Sequence, residues 1–257
     1  MKQIVLMYHD VYCKDVKESG FQAIGAIPYK ITKNAFEEQV KAISQYCEAK
    51  LLPKSSVVFT FDDGGISFST VIPEVLEKYG FKGLFYISTQ YIGTERFLTE
   101  EHIRELAANG HEIGAHSHSH PAYDEAASMN ADQLRNEWKE SIGIMNRILG
   151  TNIKSVSLPN GYSTKVVLDY LEEQGIERIY ISTPTTRISH HGSAQLIGRY
   201  AIQMGTSLQQ VMAVINSPMT RMKYQLKSEI LQIAKKLLGS SYSTCLLYTS
   251  PSPRDRS

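Results

Sequence analysis

Cysteine is scarce in this chain of 257 residues: Cys13, Cys47 and Cys245 are its three copies. An odd, widely spaced set without a Cys-x-x-Cys pair excludes a disulfide framework, a zinc ribbon and a dithiol redox centre, and reads as reduced, incidental thiols. An excess of charge of either sign is missing too, since 27 Lys and Arg stand against 26 Asp and Glu for a formal charge of +1. That leaves no long-range field to gather nucleic acid or an anionic membrane, and no basic patch with interleaved aromatics accompanies it. No apolar run approaches the roughly 18 residues that span a bilayer. The start, Met1-Lys2-Gln3 and then Ile4 to Met7, holds too short an apolar stretch for a signal peptide. The expectation is a soluble, globular, cytoplasmic protein without a transmembrane segment or a nucleic-acid partner.

What is present is an alternation. Short apolar runs predict strands at Gln3–Tyr8, Val57–Phe61, Gly83–Ile87, Glu112–Ala115, Ser155–Leu158, Arg178–Ile181 and Leu196–Ile202. Between them, helical spacing covers Lys33–Tyr46 (Thr32 as cap), Val71–Tyr79, Glu100–Ala108 (Thr99 as cap), Asp132–Leu149, Lys165–Gln174, Ser207–Ile215 and Tyr224–Leu238. Strands alternating with single helices signal βαβ units around a parallel sheet, and their number favours a barrel. No linker, repeat or low-complexity run divides the chain, so residues 1–244 read as one catalytic domain. Residues 245–257, CLLYTSPSPRDRS, look like a translated sequencing adapter and are set aside as a disordered tail. On that reading the domain is truncated at its C-terminus.

Three polar clusters directly follow short apolar runs (57–59, 112–115 and 156–158): Thr60-Phe61-Asp62-Asp63-Gly64-Gly65, His116-Ser117-His118-Ser119-His120-Pro121 and Pro159-Asn160-Gly161-Tyr162. Parallel α/β folds gather strand C-termini on one rim, where their active sites lie, so clusters distant in sequence are expected to converge. Asp-Asp-Gly-Gly alone reads first as a polar turn. A glycosidase carboxyl pair is a weaker rival, because it needs a separation of at least about 5 Å in a sugar cleft. His116 and His120 at i and i+4 share one helical face and can grip one metal, whereas in a strand all three histidines would line one side. With Asp63 they form a set of one oxygen and two nitrogen donors with room for water, as in a catalytic zinc site. Asp62, beside that set, is then free to take a proton from water.

TFDDG at 60–64 and HSHSH at 116–120 resemble the first two motifs of the polysaccharide deacetylases, carbohydrate esterase family 4, of the chitooligosaccharide deacetylase kind. The family pattern is T-F-D-D-G followed by H-[ST]-x-x-H. LMYHDV at 6–11, KYGFKGLFYIS at 78–88 and GHEIGAHSHSHP at 110–121 extend the likeness, which covers residues 4–212. The resemblance implies a parallel (β/α) barrel with fewer than eight regular strands. It also implies a divalent metal, most often Zn2+, and hydrolysis of acetyl groups on an N- or O-acetylated sugar or polysaccharide. By position Asp62 is similar to the general base, and Asp63, His116 and His120 to the metal ligands.

Downstream the pattern departs. The family's R-x-P-x-G reads here Ser157-Leu158-Pro159-Asn160-Gly161, with Ser157 in place of arginine. Arg199 offers that charge from a later strand, or is a surface arginine at a strand end. Pro159, Asn160, Gly161 and Tyr162 are expected to border the substrate, and a backbone N–H among them to hold the oxyanion. The late Leu-x-His carrying the general acid is absent, as is the tryptophan motif, since Trp138 falls in a helix. His9, at the end of the first predicted strand, and His190 and His191, in an expected Ser/Gly loop, are candidates for that acid, or for histidines lying behind the metal ligands. Tyr123 and Tyr162 offer rings for stacking on sugars. Two other functions stay open: a catalytically impaired carbohydrate-binding relative, and a metal-dependent amidohydrolase acting on a non-sugar amide.

Overall fold

Strand β1 (Ile4–Tyr8) is buried at all five positions, as expected for a strand covered on both faces. The computed structural model describes residues 3–238; Met1, Lys2, Cys245 and the adapter-like tail lie outside the described residues. After β1 come the short parallel pair β2 (Val11–Tyr12) and β3 (Ile31–Thr32), then α1 (Lys33–Ala49), β4 (Val57–Phe61), α2 (Ser67–Thr70), α3 (Ile72–Lys78) and β5 (Gly83–Ile87). Next are α4 (Glu100–Ala108), β6 (Glu112–Ala115), α5 (Tyr123–Ser128), α6 (Ala131–Leu149), β7 (Ser155–Ser157), α7 (Lys165–Glu173) and β8 (Arg178–Ile181). The hairpin β9 (Ile188–His191) and β10 (Ala194–Gly198), then β11 (Tyr200–Ala201), α8 (Leu208–Asn216) and α9 (Pro218–Leu238), complete the order. Thr32 and Thr99 cap α1 and α4 as their sequence positions predict, each accepting from a backbone N–H three residues on.

The large sheet runs β11-β1-β4-β5-β6-β7-β8-β10-β9, parallel except for the antiparallel β10–β9 pair. Seven of its parallel strands have three or more residues. Alternation sorts each strand's side chains. Leu6, Phe59, Phe61, Phe85, Ile113 and Ile179 join the helices in the main core, whereas Val5, Tyr86 and Tyr180 form a small cluster on the inner face. One residue, Arg199, separates β10 from β11, although these strands stand near opposite ends of the ladder. A single stretch of chain therefore switches partner from β8 to β1 at Arg199 and curls the sheet into an incompletely closed barrel. An opening of about 840 Å3 at the other end, bordered by Gln3, Val5, Gln195 and Ile197, lies beside that seam.

Several predicted elements need correction. The helix expected over 71–79 is α3 over 72–78, set off from the short α2 by Val71 (φ −125°), with Pro73 in its first turn. The strand expected over 196–202 is two strands, because its partner changes at Arg199. His190 and His191 belong to a hairpin strand rather than a loop. The last helix begins at Pro218, six residues before the expected Tyr224. Among the described residues, no helix is long and apolar enough to cross a membrane.

Candidate active site

The carboxylate pair is held by the aromatic end of β4. Phe61 is fully buried, stacked on Phe85 at 5.0 Å and on Tyr8 at 5.7 Å between ring centres. The chain then turns through Asp63 and Gly64, both at positive φ (92° and 94°), and so sends Asp62 and Asp63 different ways. Behind this turn lies a buried staple. Asp10 accepts from Ser19 and Ser67, and a Cβ on Gly65 or Gly20 would fall within about 2 Å of an Asp10 oxygen. Glycine is required there by close approach. Lys30, also buried, donates to the Val16 and Ser19 carbonyls, and the same staple holds the 13–30 loop over the strand ends.

The histidine segment is neither helix nor strand. Ser117 and His120 sit at positive φ (62° and 54°), giving an irregular turn after β6. Helix α6 clamps it: Glu137 accepts from the His118 and Ser119 N–H groups, and Ser141 donates to the Ser117 carbonyl. The turn brings His116 and His120 together, with ring centres 5.0 Å apart, while His118 pairs with Thr89 instead. The convergence predicted from i, i+4 spacing is therefore met by other geometry. Glu137 and Ser141, which set that geometry, carry no motif in the sequence.

Asp63, His116 and His120 converge with one ligand atom from each within 4.8 Å of the others. Asp63 Oδ1 is 3.5 Å from His116 Nε2 and 3.3 Å from His120 Nε2. His116 Nδ1 lies 2.9 Å from the Ser157 carbonyl, an acceptor, so Nδ1 carries the proton and Nε2 keeps its lone pair toward Asp63. Burial holds the His116 imidazole down to about 4, in its neutral form at neutral pH. For Asp63 burial acts upward, but the hydrogen bond with His120 and the interactions with the surrounding imidazoles bring it down to about 2. Burial acts to lower His120 as well, yet its bond to Asp63 leaves it raised.

Asp62 is 2% exposed and Arg199 is 0% exposed. Arg199 grips the carboxylate with both nitrogens, Nη1 to Oδ1 at 2.7 Å and Nη2 to Oδ2 at 2.8 Å. It also donates to Thr60 Oγ1 at 3.2 Å. Burial pushes the Asp62 carboxyl up, but Arg199, with His116 and His9, holds it well below the ordinary carboxylate range. Arg199 thus stands inside the barrel and not at its surface.

Asp62, Asp63, His116 and His120 face a cleft of about 440 Å3. His9 lines it, its Nδ1 buried without a hydrogen-bond partner among the described residues and its ring 4.5 Å from that of Tyr29. Asn160 and Leu158 line it too, while Pro159 is buried and does not join the lining. The Gly161 and Tyr162 N–H groups are spent on the Leu158 and Pro159 carbonyls. Tyr123 packs edge-on against Tyr162 at 5.4 Å. His190 and His191 do not join the cleft lining: they lie in β9, and His191 Nε2 is 2.7 Å from Asp169 Oδ1 of α7. Phe21 and Tyr29, from the loop after β2, line the cleft without any preceding sequence signal.

A family model described as polysaccharide deacetylase matches residues 49–179. A peptidoglycan-N-acetylglucosamine deacetylase of Bacillus cereus is 28% identical over 176 residues, which are 63% of this chain. The chain spans 62% of the length of that relative. A bifunctional xylanase/deacetylase of Pseudobutyrivibrio xylanivorans is 28% identical over 98 residues, covering 38% of this chain and 15% of that one. Among solved structures, a Streptococcus pyogenes deacetylase in complex with acetate superposes with TM-score 0.68 at 19% identity, over 84% of this chain and 99% of that one. A Bacillus cereus polysaccharide deacetylase superposes with TM-score 0.67 at 18% identity, over 84% of this chain and 69% of that one. At such identities the superpositions establish the fold.

Proposed function

The chain belongs to the polysaccharide deacetylase family, and from that premise and the site geometry we propose that it hydrolyses acetyl groups from an N- or O-acetylated sugar or polysaccharide. The observation that carries this reading is the convergence of Asp63, His116 and His120 beside a separate carboxylate, Asp62, that Arg199 keeps ionised. The trio suits a divalent cation. It offers one carboxylate oxygen and two imidazole nitrogens, and the Ser157 carbonyl fixes His116 in the tautomer with Nε2 free. Such a cation, Zn2+ on this donor set, would be held by Asp63, His116 and His120 and would supply a Lewis acid for the acetyl carbonyl and its attacking water.

The chain's own groups then divide the work. Asp62 takes the proton of the attacking water, a step suited to a carboxylate that is buried yet ionised. The oxyanion is assigned to the Asn160 N–H, since the Gly161 and Tyr162 N–H groups already close their own turn. His9 is assigned as the acid that protonates the leaving nitrogen or oxygen, because its ring lines the cleft beside Asp62 and Asp63.

Two experiments check this reading. Treatment with a strong chelator is expected to abolish acetate release from N-acetylated chito-oligosaccharides, and added Zn2+ to restore it. Activity that survives complete removal of metal, confirmed by elemental analysis, would refute the assignment of the trio. Exchange of His9 for Gln is expected to lower kcat about 10²-fold on an N-acetyl substrate, where the amine must be protonated to leave. On an aryl acetate, whose phenolate leaves without help, the same variant should stay within about threefold of wild type. Equal losses on both substrates would remove His9 from the acid role.

A further inference from the structure

Ser157, which stands where the family motif carries arginine, lies at the centre of the site. It is fully buried at the end of β7. Its hydroxyl donates to Asp62 Oδ2 at 2.9 Å and accepts from Arg199 Nη2 at 2.8 Å. Arg199 Nη2 also donates to Asp62 Oδ2 at 2.8 Å, so the three groups close a hydrogen-bonded triangle. The carbonyl of the same residue accepts from His116 Nδ1. One serine thus touches the carboxylate, the guanidinium that neutralises it and one of the imidazoles.

We propose that Ser157 is a positioning residue, exchangeable with Arg199: the guanidinium has moved from position 157 to the strand switch at 199, and Ser157 ties it to Asp62. This inference rests on the deacetylase reading. Its physical basis is that one buried carboxylate accommodates one guanidinium. A second in the same pocket would be an unpaired buried cation, and none at all would leave the carboxylate unpaired. A hydroxyl suits the vacated position because it donates and accepts at once, meeting carboxylate and guanidinium with a single oxygen. Alanine at 157 would leave Arg199 Nη2 and Asp62 Oδ2 each short of one bond while keeping the strand. The strand switch explains why position 199 can reach: the Arg199 N–H bonds the Thr183 carbonyl beyond β8, and its side chain crosses the barrel to β4 and β7.

The test compares S157A with the exchange series S157R, R199S and S157R/R199S, reading kcat and KM on an N-acetylated chito-oligosaccharide together with bound zinc. S157A is expected to lower kcat about tenfold to hundredfold, the worth of one hydrogen bond to a charged group. KM should stay within about threefold and the zinc content should be unchanged, a split that a general loss of structure would not give. S157R and R199S should each lose more than about 100-fold, and the double variant should recover at least about tenfold over either. A kcat for S157A within twofold of wild type overturns the positioning role. A double variant that is no better than the single ones, or that fails to fold, overturns the exchange. A wild type inactive on both N-acetylated chito-oligosaccharides and an aryl acetate overturns the deacetylase reading and takes this role with it, an outcome distinct from an active enzyme indifferent to Ser157.

Discussion

Exchange of Asp62 for Asn is expected to lower kcat for acetate release by about 10²- to 10⁴-fold, the span that a positioned general base contributes. Asn keeps the shape of the side chain but cannot accept a proton at neutral pH. The proposed ligand trio excludes Asp62, whose Oδ2 stands 3.9 Å from His116 Nε2. Bound zinc, measured by elemental analysis, should therefore match wild type. The substitution also leaves Arg199 buried without a counter-charge, so the comparison requires the folded fraction to be measured by urea unfolding. A folded, zinc-loaded D62N enzyme that keeps its turnover would exclude Asp62 from the base role.

The second large effect is expected at Arg199. R199M removes a fully buried guanidinium whose two Nη atoms both donate to Asp62. Breaking a buried pair by deleting one partner costs about 3–5 kcal/mol, because the remaining charge is neither solvated nor paired. Catalysis should suffer separately. With Arg199 gone, burial is the largest influence on the Asp62 carboxyl, and it acts upward. The group whose folded-state pKa was depressed would then bind its proton at higher pH, and a protonated carboxyl is no base. Activity near pH 7 is expected to fall at least about 100-fold and to recover in part as pH rises, the acid limb of the rate profile having moved up. Urea midpoints and kcat–pH profiles of the two proteins check both parts. Unchanged stability with an unmoved acid limb would show that the pair does neither job.

Arg199 also marks the boundary of what the chain's order of residues reveals. Its pairing with Asp62 joins groups 137 residues apart in sequence. From sequence, a surface position at a strand end was as good a reading as a place beside Asp62. Only the change of strand partner at this residue turns its side chain into the barrel. The same holds for Phe21 and Tyr29, which reach the cleft because the Asp10–Ser19–Ser67 staple folds their loop back. It holds for Glu137 and Ser141 as well, whose hydrogen bonds from α6 shape the histidine turn.

The amino-acid order by itself determined the alternation of strands and helices, two helix caps, the placement of polar clusters at strand ends, and the residue types of the carboxylate and imidazole set. These are local properties, written in the spacing of apolar residues and in turn chemistry within a few residues. Tertiary structure alone decided that an irregular turn and not a helix brings His116 and His120 to Asp63, that Arg199 lies inside the barrel against Asp62 and not at the surface, and that a serine links the two. Those pairings follow from strand register and from where the sheet closes. Register and closure are settled by the packing of the whole barrel at once, and no short stretch of chain encodes them.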